Sequence, residues 1–223
     1  MVTLLELKTR ARQRADMVNN NFIKDDELTQ YINASVQELH DLLIGAYSSD
    51  YFIKTYDFAT IASTDSYALP ADFYKLKGVD IAMAGGHKYS ARPFNFNERN
   101  RNEIVSWGLI NGPSIRYRIV GDNLVFSPAP DAAYSCTLWY IPTATPLVLD
   151  ADTYSDVAYS EYVVIDVAIK MLQKQETDVS GLSQQKNQML KRIEAMAQNR
   201  DVDHPESVSD IYAENDEFWF WRT

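Results

Sequence analysis

The 223 residues contain a single cysteine, Cys136, so no internal disulfide can form and no cysteine cluster is available to a metal. Its place in an alternating apolar run marks it as a small buried hydrophobe rather than a nucleophile. No apolar run approaches the roughly 20 residues that a membrane span requires, and no basic-then-apolar leader opens the chain. The expectation is a soluble protein with no membrane partner and no standard secretion signal. Phosphate-binding glycine loops, dinucleotide fingerprints, HExxH and GxSxG are all missing. The three histidines, His40, His87 and His204, have no neighbour in sequence that would orient them, and exposure or capping is the expected role of each. Positive charge is also scarce. Lys and Arg total 21 against 31 Asp and Glu, a net charge of −10, which argues against a protein that grips nucleic acid by releasing counterions from phosphates.

What is present is periodicity of two kinds. Thr3-Leu4-Leu5-Glu6 has the form of a helix capping box. Leu4, Leu7, Ala11, Ala15 and Val18 then recur at helical spacing until the polar Asn19-Asn20-Asn21. A second helix is expected from Asp25, Asp26 and Glu27, acidic residues suited to a helix N-terminus, with Leu28, Ile32, Ser35, Leu39, Leu42 and Leu43 on one face to about Ala46. From residue 47 to 149 the period changes to 2. Five or six strands are predicted, mostly antiparallel, with turns at Pro70-Ala71-Asp72, Gly85-Gly86, Gly112-Pro113 and Gly121-Asp122. Residues 97–107 suggest a short helix capped by Asn97. Asn123 to Phe126 and Tyr134 to Ile141 have strand composition, and the segment between them carries Pro128 and Pro130, which lack N–H donors. These two runs are predicted to form a hairpin with a stiff connection.

Helical patterning returns after the acidic Asp150-Ala151-Asp152. Residues 159–172 are apolar on nearly every side and should form the most buried helix. Leu182, Met189, Ile193 and Met196 mark a fourth, amphipathic helix ending near Gln198. The predicted class is therefore α+β: a four-helix bundle with an inserted, largely antiparallel β region and an extended C-terminal tail. The divisions are an N-terminal helix pair at 1–46, the β region with its long loop at 47–149, a C-terminal helix pair at 150–200 and the tail at 201–223.

Few residues carry a chemical suggestion. Asp150 and Asp152 form a solvated acidic linker with too few oxygens for a calcium site. Lys8, Arg10, Arg12 and Arg14 are the most basic stretch, but Arg10 and Arg14 share a helix face while Arg12 points elsewhere, which favours a solvated face over a phosphate-binding strip. The loop at 85–107 is long, and Arg99 and Arg101 within it are candidate partner contacts. The acidic tail ends in Phe218-Trp219-Phe220-Trp221, four rings with about 150–250 Å² each to bury. Aromatics are common interface anchors, so these four are candidate partner-binding residues. No nucleophile–base pair is visible, and neither an enzyme activity nor a cofactor is expected.

Four phrases, in order, resemble the head–tail adaptor (connector) proteins of tailed, especially short-tailed, bacteriophages. Leu4-Leu5-Glu6-Leu7-Lys8 is similar to the opening of that family's first helix, and Asp25-Asp26-Glu27-Leu28-Thr29-Gln30-Tyr31-Ile32-Asn33 to its second. Tyr67-Ala68-Leu69-Pro70-Ala71-Asp72-Phe73 matches its "Y-x-L-P-A-D-F" turn, and Leu124-Val125-Phe126-Ser127-Pro128-Ala129-Pro130 its "L-x-x-x-P-x-P" hairpin. The likeness runs to about Met196. It implies a structural virion protein, assembled in the host cytoplasm and located in the neck between capsid and tail. Such a protein forms a ring, commonly of twelve copies, beneath the portal and above a tail or nozzle protein, and DNA passes through it without tight binding. An acidic wall suits such a conduit because it repels phosphate. Two rival classes remain: a DNA-binding regulator that uses the basic first helix, and a hydrolytic tail component with paired carboxylates in a groove.

Overall fold

The computed structural model describes residues 1–18, 22–47, 51–82, 87–98, 115–155 and 157–198. Helix α1 (Leu4–Arg14) starts on the capping box read from the sequence: Thr3 Oγ1 accepts from the Glu6 N–H and Glu6 Oε2 accepts from the Thr3 N–H. It stops earlier than the asparagine run suggests. Asp16 adopts φ 55°, the Asp16 N–H bonds to the Gln13 carbonyl and the Met17 N–H to the Arg12 carbonyl. That is the left-handed closure that satisfies the last carbonyls of a helix. The stripe therefore ends with Ala15 and Met17 buried, and Val18 is exposed.

Helix α2 (Asp25–Ala46) buries Leu28, Ile32, Ser35, Val36, Leu39 and Leu43, and its first turn holds Asp25, Asp26 and Glu27. Helix α3 (Ser160–Lys174) is the hub of the helical part, packing on α1, on α2 and on α4 (Ser180–Gln198). Ten of its 15 residues are buried, as expected for a helix with neighbours on three sides. Complete burial of a Leu or Ile here contributes about 1.5–3 kcal/mol.

Eight longer and shorter strands form two four-stranded sheets. One has the order β2 (Lys54–Ala59), β9 (Ser135–Pro142), β4 (Phe73–Ala82), β5 (Lys88–Ser90); the other β3 (Ser66–Ala68), β8 (Asn123–Ser127), β7 (Arg116–Val120), β6 (Arg92–Pro93). Their inner faces share a core of Val79, Ile81, Cys136 and Leu138 from one side and Tyr117, Leu124 and Phe126 from the other. Phe58 spans the two, with its ring centroid 5.4 Å from Tyr67 and 6.4 Å from Phe126. Every described pairing is antiparallel except β6 with β7. Gly121, at φ 59°, turns β7 into β8 in a two-residue loop, a first-position glycine matched to strand twist.

Two expectations need correction. β8 and β9 do not form a hairpin: β8 pairs with β3 and β7, and β9 with β2 and β4. The proline-bearing segment between them carries the chain from one sheet to the other, because Pro128 and Pro130 cannot continue a ladder. Nor is a four-helix bundle supported as the organising unit, although the chain is α+β. The sheets are of comparable extent and have their own core, and the helical core is completed by non-helical Val2, Leu147 and Tyr154. Val2 and Tyr154 face each other in a short antiparallel pair, β1 (Val2–Thr3) with β10 (Thr153–Tyr154), which closes the ends of the helical part. The short helix expected at 97–107 appears as one 3-10 turn at Phe96–Glu98; residues 99–107 lie outside the described residues.

Helix and sheet meet where the His40 ring of α2 lies edge-on to Tyr74 of β4, centroids 6.1 Å apart, and the Tyr74 hydroxyl donates to Asp41. Within the helical core His40 also contacts Phe52, centroids 4.5 Å apart, and the Tyr47 and Tyr159 hydroxyls hydrogen-bond. His40 is 7% exposed, which overturns the expectation of an exposed or capping residue. It lies one turn after Val36 on the buried face of α2, so the helix carries it inside. His87 is exposed, and His204 lies outside the described residues.

Candidate partner interface

The candidate residues read from the sequence, Arg99, Arg101, Phe218, Trp219, Phe220 and Trp221, all lie outside the described residues. The basic stretch of α1 is within them, and most of its charge is spent internally. Lys8 Nζ donates to Asp150 Oδ1 at 2.7 Å, and Arg12 holds Asp25 at 2.8 Å and the Ile23 carbonyl at 2.9 Å. Arg14 reaches Gln185 at 2.9 Å and Glu161 at 3.2 Å. Arg10 and Arg14 are both exposed, and Arg10 alone of the four makes no hydrogen bond or ion pair among the described residues. A strip with one free guanidinium has little to offer a duplex, where each released counterion requires its own cation.

The acidic linker is a brace. Asp152 accepts the Val148 and Leu149 N–H groups at 2.7 and 2.8 Å, and these bonds hold its carboxyl below the usual carboxylate range. Asn33 of α2 binds both the N–H and the carbonyl of Leu147, each at 2.9 Å. The Leu4 and Leu5 N–H groups, the unfilled donors of a helix start, bond to the carbonyls of Asp152 and Asp150.

This pinned turn holds two apolar side chains in water. Val148 is 70% exposed and Leu149 67%, beside Leu5 at 54%. Isolated exposed hydrophobes are ordinary, but three on a fixed turn and the helix start it clasps form a patch of the kind that marks a protein contact. Sequence reading missed it; the available signal was an apolar pair between Pro146 and Asp150 with no period to bury it. Two grooves follow α1 away from the patch. One, of about 300 Å³, is lined by Leu5, Glu6, Thr9 and Arg10; the other, of about 360 Å³, by Arg10, Gln13, Arg14, Glu161 and Val164.

A charged cluster ties α2, α3 and α4 together. Asp166, 3% exposed, accepts from Ser35, from Lys170 at 2.6 Å and from Lys186 at 2.7 Å. Lys186 also reaches Glu38 at 2.8 Å. Burial pushes the Asp166 carboxyl upward, but the bonds from Lys170, Lys186 and Ser35 outweigh it and hold the group below the usual range. The cluster is fully paired and presents no group to a substrate. No set of three His, Cys, Asp or Glu suited to a metal occurs among the described residues.

The model of one protein family, described as SU10 adaptor protein, matches residues 2–209. The chain belongs to that family. It is thus a phage structural adaptor, a component of the virion that contacts other virion proteins; its family is generally non-enzymatic. The match covers every described strand and helix and stops before Phe218. No curated protein matches the chain. No described helix of this adaptor is long and apolar enough to cross a membrane.

Proposed function

We propose that this adaptor forms a ring, of twelve copies by family resemblance, that docks beneath the portal, receives the tail or nozzle protein below and lets DNA pass. The observation that carries the reading is the family match over residues 2–209. In this reading the divisions at 46/47, 149/150 and 200/201 are those of helical platform, β unit, helical platform and tail. The tail, with Phe218, Trp219, Phe220 and Trp221, leaves its own helices and binds the portal on one side and a neighbouring copy on the other. Arg99 and Arg101 in the long loop make contacts between subunits or with the tail protein.

The charge pattern supports passage rather than capture of DNA. The net charge is −10, and Lys8, Arg12 and Arg14 are engaged with Asp150, Asp25 and Glu161. A regulator using the first helix would need those cations free. The deciding experiment is the mass of the purified chain alone and mixed with purified portal rings. A stoichiometric complex with the portal is expected. Co-elution failure, together with submicromolar duplex binding that weakens steeply with salt, would replace the adaptor ring with the regulator.

A further inference from the structure

The two grooves along α1 meet at Arg10, and Leu5, which lines one of them, donates its N–H to the carbonyl of Asp150, next in sequence to Val148 and Leu149. Leu5, Val148 and Leu149 stand at one end, and the exposed guanidinium of Arg10 lies further along the helix. Leu5 and Arg10 are five positions apart, an axial rise of about 7.5 Å with about 140° of turn, which sets their Cα atoms roughly 9 Å apart. The surface therefore asks for a carboxylate followed, roughly 7–9 Å on, by large apolar groups.

The chain itself contains such a segment. Residues 201–223 hold seven acidic side chains and one basic, and Glu217 immediately precedes Phe218-Trp219-Phe220-Trp221. In an extended chain, alternate residues share a face at about 6.6–6.8 Å spacing. Glu217, Trp219 and Trp221 are thereby on one side and Phe218 and Phe220 on the other. We infer that the Glu217, Trp219, Trp221 face of one copy's tail docks on the α1 surface of a neighbouring copy, with Glu217 on Arg10, Trp219 against Leu5 and Trp221 against Val148 and Leu149. The inference rests on the proposed ring and deepens it by naming the surface the tail occupies.

Charge and reach both favour this occupant. Of the charged groups facing the grooves, Glu6 is engaged by the Thr3 N–H and Glu161 by Arg14, which leaves Arg10 as the open charge among the described residues. The 25 residues after Gln198 extend up to about 80 Å at roughly 3.3 Å each. A folded chain of this length has a radius of gyration of roughly 17 Å and a width of about 45 Å, so the tail can cross its own subunit and reach the next. The Phe218 and Phe220 face stays available to the portal.

The test places a photo-crosslinker on the surface in the full-length protein, Thr9→p-benzoylphenylalanine. Isotope-labelled copies carrying it are mixed with unlabelled copies that lack it. Residues 201–222 contain no Lys or Arg before Arg222, so trypsin releases the tail as one peptide that mass spectrometry can assign to a labelled or an unlabelled copy. A crosslink to the unlabelled tail peptide is expected. Arg10→Glu should reduce its yield about fivefold, the worth of one partly exposed ion pair, and Glu217→Arg added to Arg10→Glu, read on the two tail peptides 201–217 and 218–222 that the new arginine creates, should restore it. Trp219→Ala with Trp221→Ala should abolish it, while Phe218→Ala with Phe220→Ala leaves it. A crosslink confined to the labelled copy's own tail, or to no tail peptide, overturns the inference. Portal co-elution is read separately, so docking on the portal without this crosslink would sink the tail site and leave the adaptor reading standing.

Discussion

Lys186 Nζ lies 2.7 Å from Asp166 Oδ1, bringing a cation of α4 to a carboxylate of α3 that is 3% exposed. The same ammonium holds Glu38 of α2 at 2.8 Å, so one side chain joins three helices. Removing it leaves Asp166 with Lys170 and Ser35 alone. Lys186→Met is expected to destabilise the protein by about 3 kcal/mol, the lower end of the range for stranding a buried partner. The urea midpoint, followed by helical circular dichroism, measures it. A change below about 0.5 kcal/mol, the size of a neutral surface substitution, would show that Lys170 compensates fully and that the three-helix clasp contributes little.

The Asp166 carboxyl is held below the usual range despite its burial, and this gives its contribution a pH signature. A group whose pKa is depressed by folding stabilises fully above its unfolded value, near 4, and ceases to do so as pH falls through its lower folded value. Asp166→Asn should therefore be clearly less stable than the parent at pH 7, and the gap should narrow as pH drops below about 4. Glu27, Asp72, Asp152 and Asp178 are depressed too, so both proteins lose stability in acid and the difference between them isolates Asp166. Paired urea titrations at pH 7 and pH 3 provide the readout. A gap independent of pH would mean that Asp166 acts through packing rather than charge.

Cys136 lies at the centre of the β unit with no exposed surface, and burial pushes its thiol up to about 11. The thiolate is the reactive form, and ordinary cysteines titrate near 8.5. Native protein at pH 8 should thus resist an aromatic disulfide reagent and react stoichiometrically in urea. The rate across the urea series should track opening of the sheets. Rapid labelling of native protein would place the sulfur at an accessible edge and contradict the shared core.

What the sequence made legible was local. The Thr3–Glu6 cap, the acidic start of α2 and the apolar wrap of α3 each follow from residues a few positions apart, and each is present. What stayed hidden was non-local. Alternation in Tyr134 to Ile141 tells which residues share a face but not which strand lies alongside, and β9 pairs with Lys54–Ala59, about 80 residues away, rather than with its neighbour β8. The solvated reading failed for Lys8 for the same reason, because Asp150 is distant in sequence; Arg14 stays exposed, yet its partners Glu161 and Gln185 are equally remote. Val148 and Leu149 are exposed because Asn33, 114 residues before Leu147, pins the turn that carries them. His40 was readable, since its spacing from Val36 and Leu43 places it on the buried face. The residues proposed to touch partners, Arg99, Arg101 and Phe218 to Trp221, were read from loop length and from aromatic rings on an acidic segment.

The tail offers the sharpest division between stability and attachment. The family match ends at residue 209, before all four terminal aromatics, so the fold common to the family does not include them. The helical core is already closed by Val2, Leu147 and Tyr154, and the sheets by Phe126 and Leu138. Among the described residues both cores are assembled without these rings. Truncation after Val208 is therefore expected to leave the melting temperature of the monomer unchanged while abolishing attachment to the portal. Buried anchors at the centre of an interface are typically worth about 2 kcal/mol or more each, so losing Phe218 and Phe220 should weaken portal binding by several hundred-fold or more even if other contacts persist. Thermal denaturation and portal co-elution, measured on the same preparations, decide the point. A large fall in melting temperature with portal attachment intact would mean that the aromatics complete the subunit's own core, and the tail would cease to be a partner-binding arm.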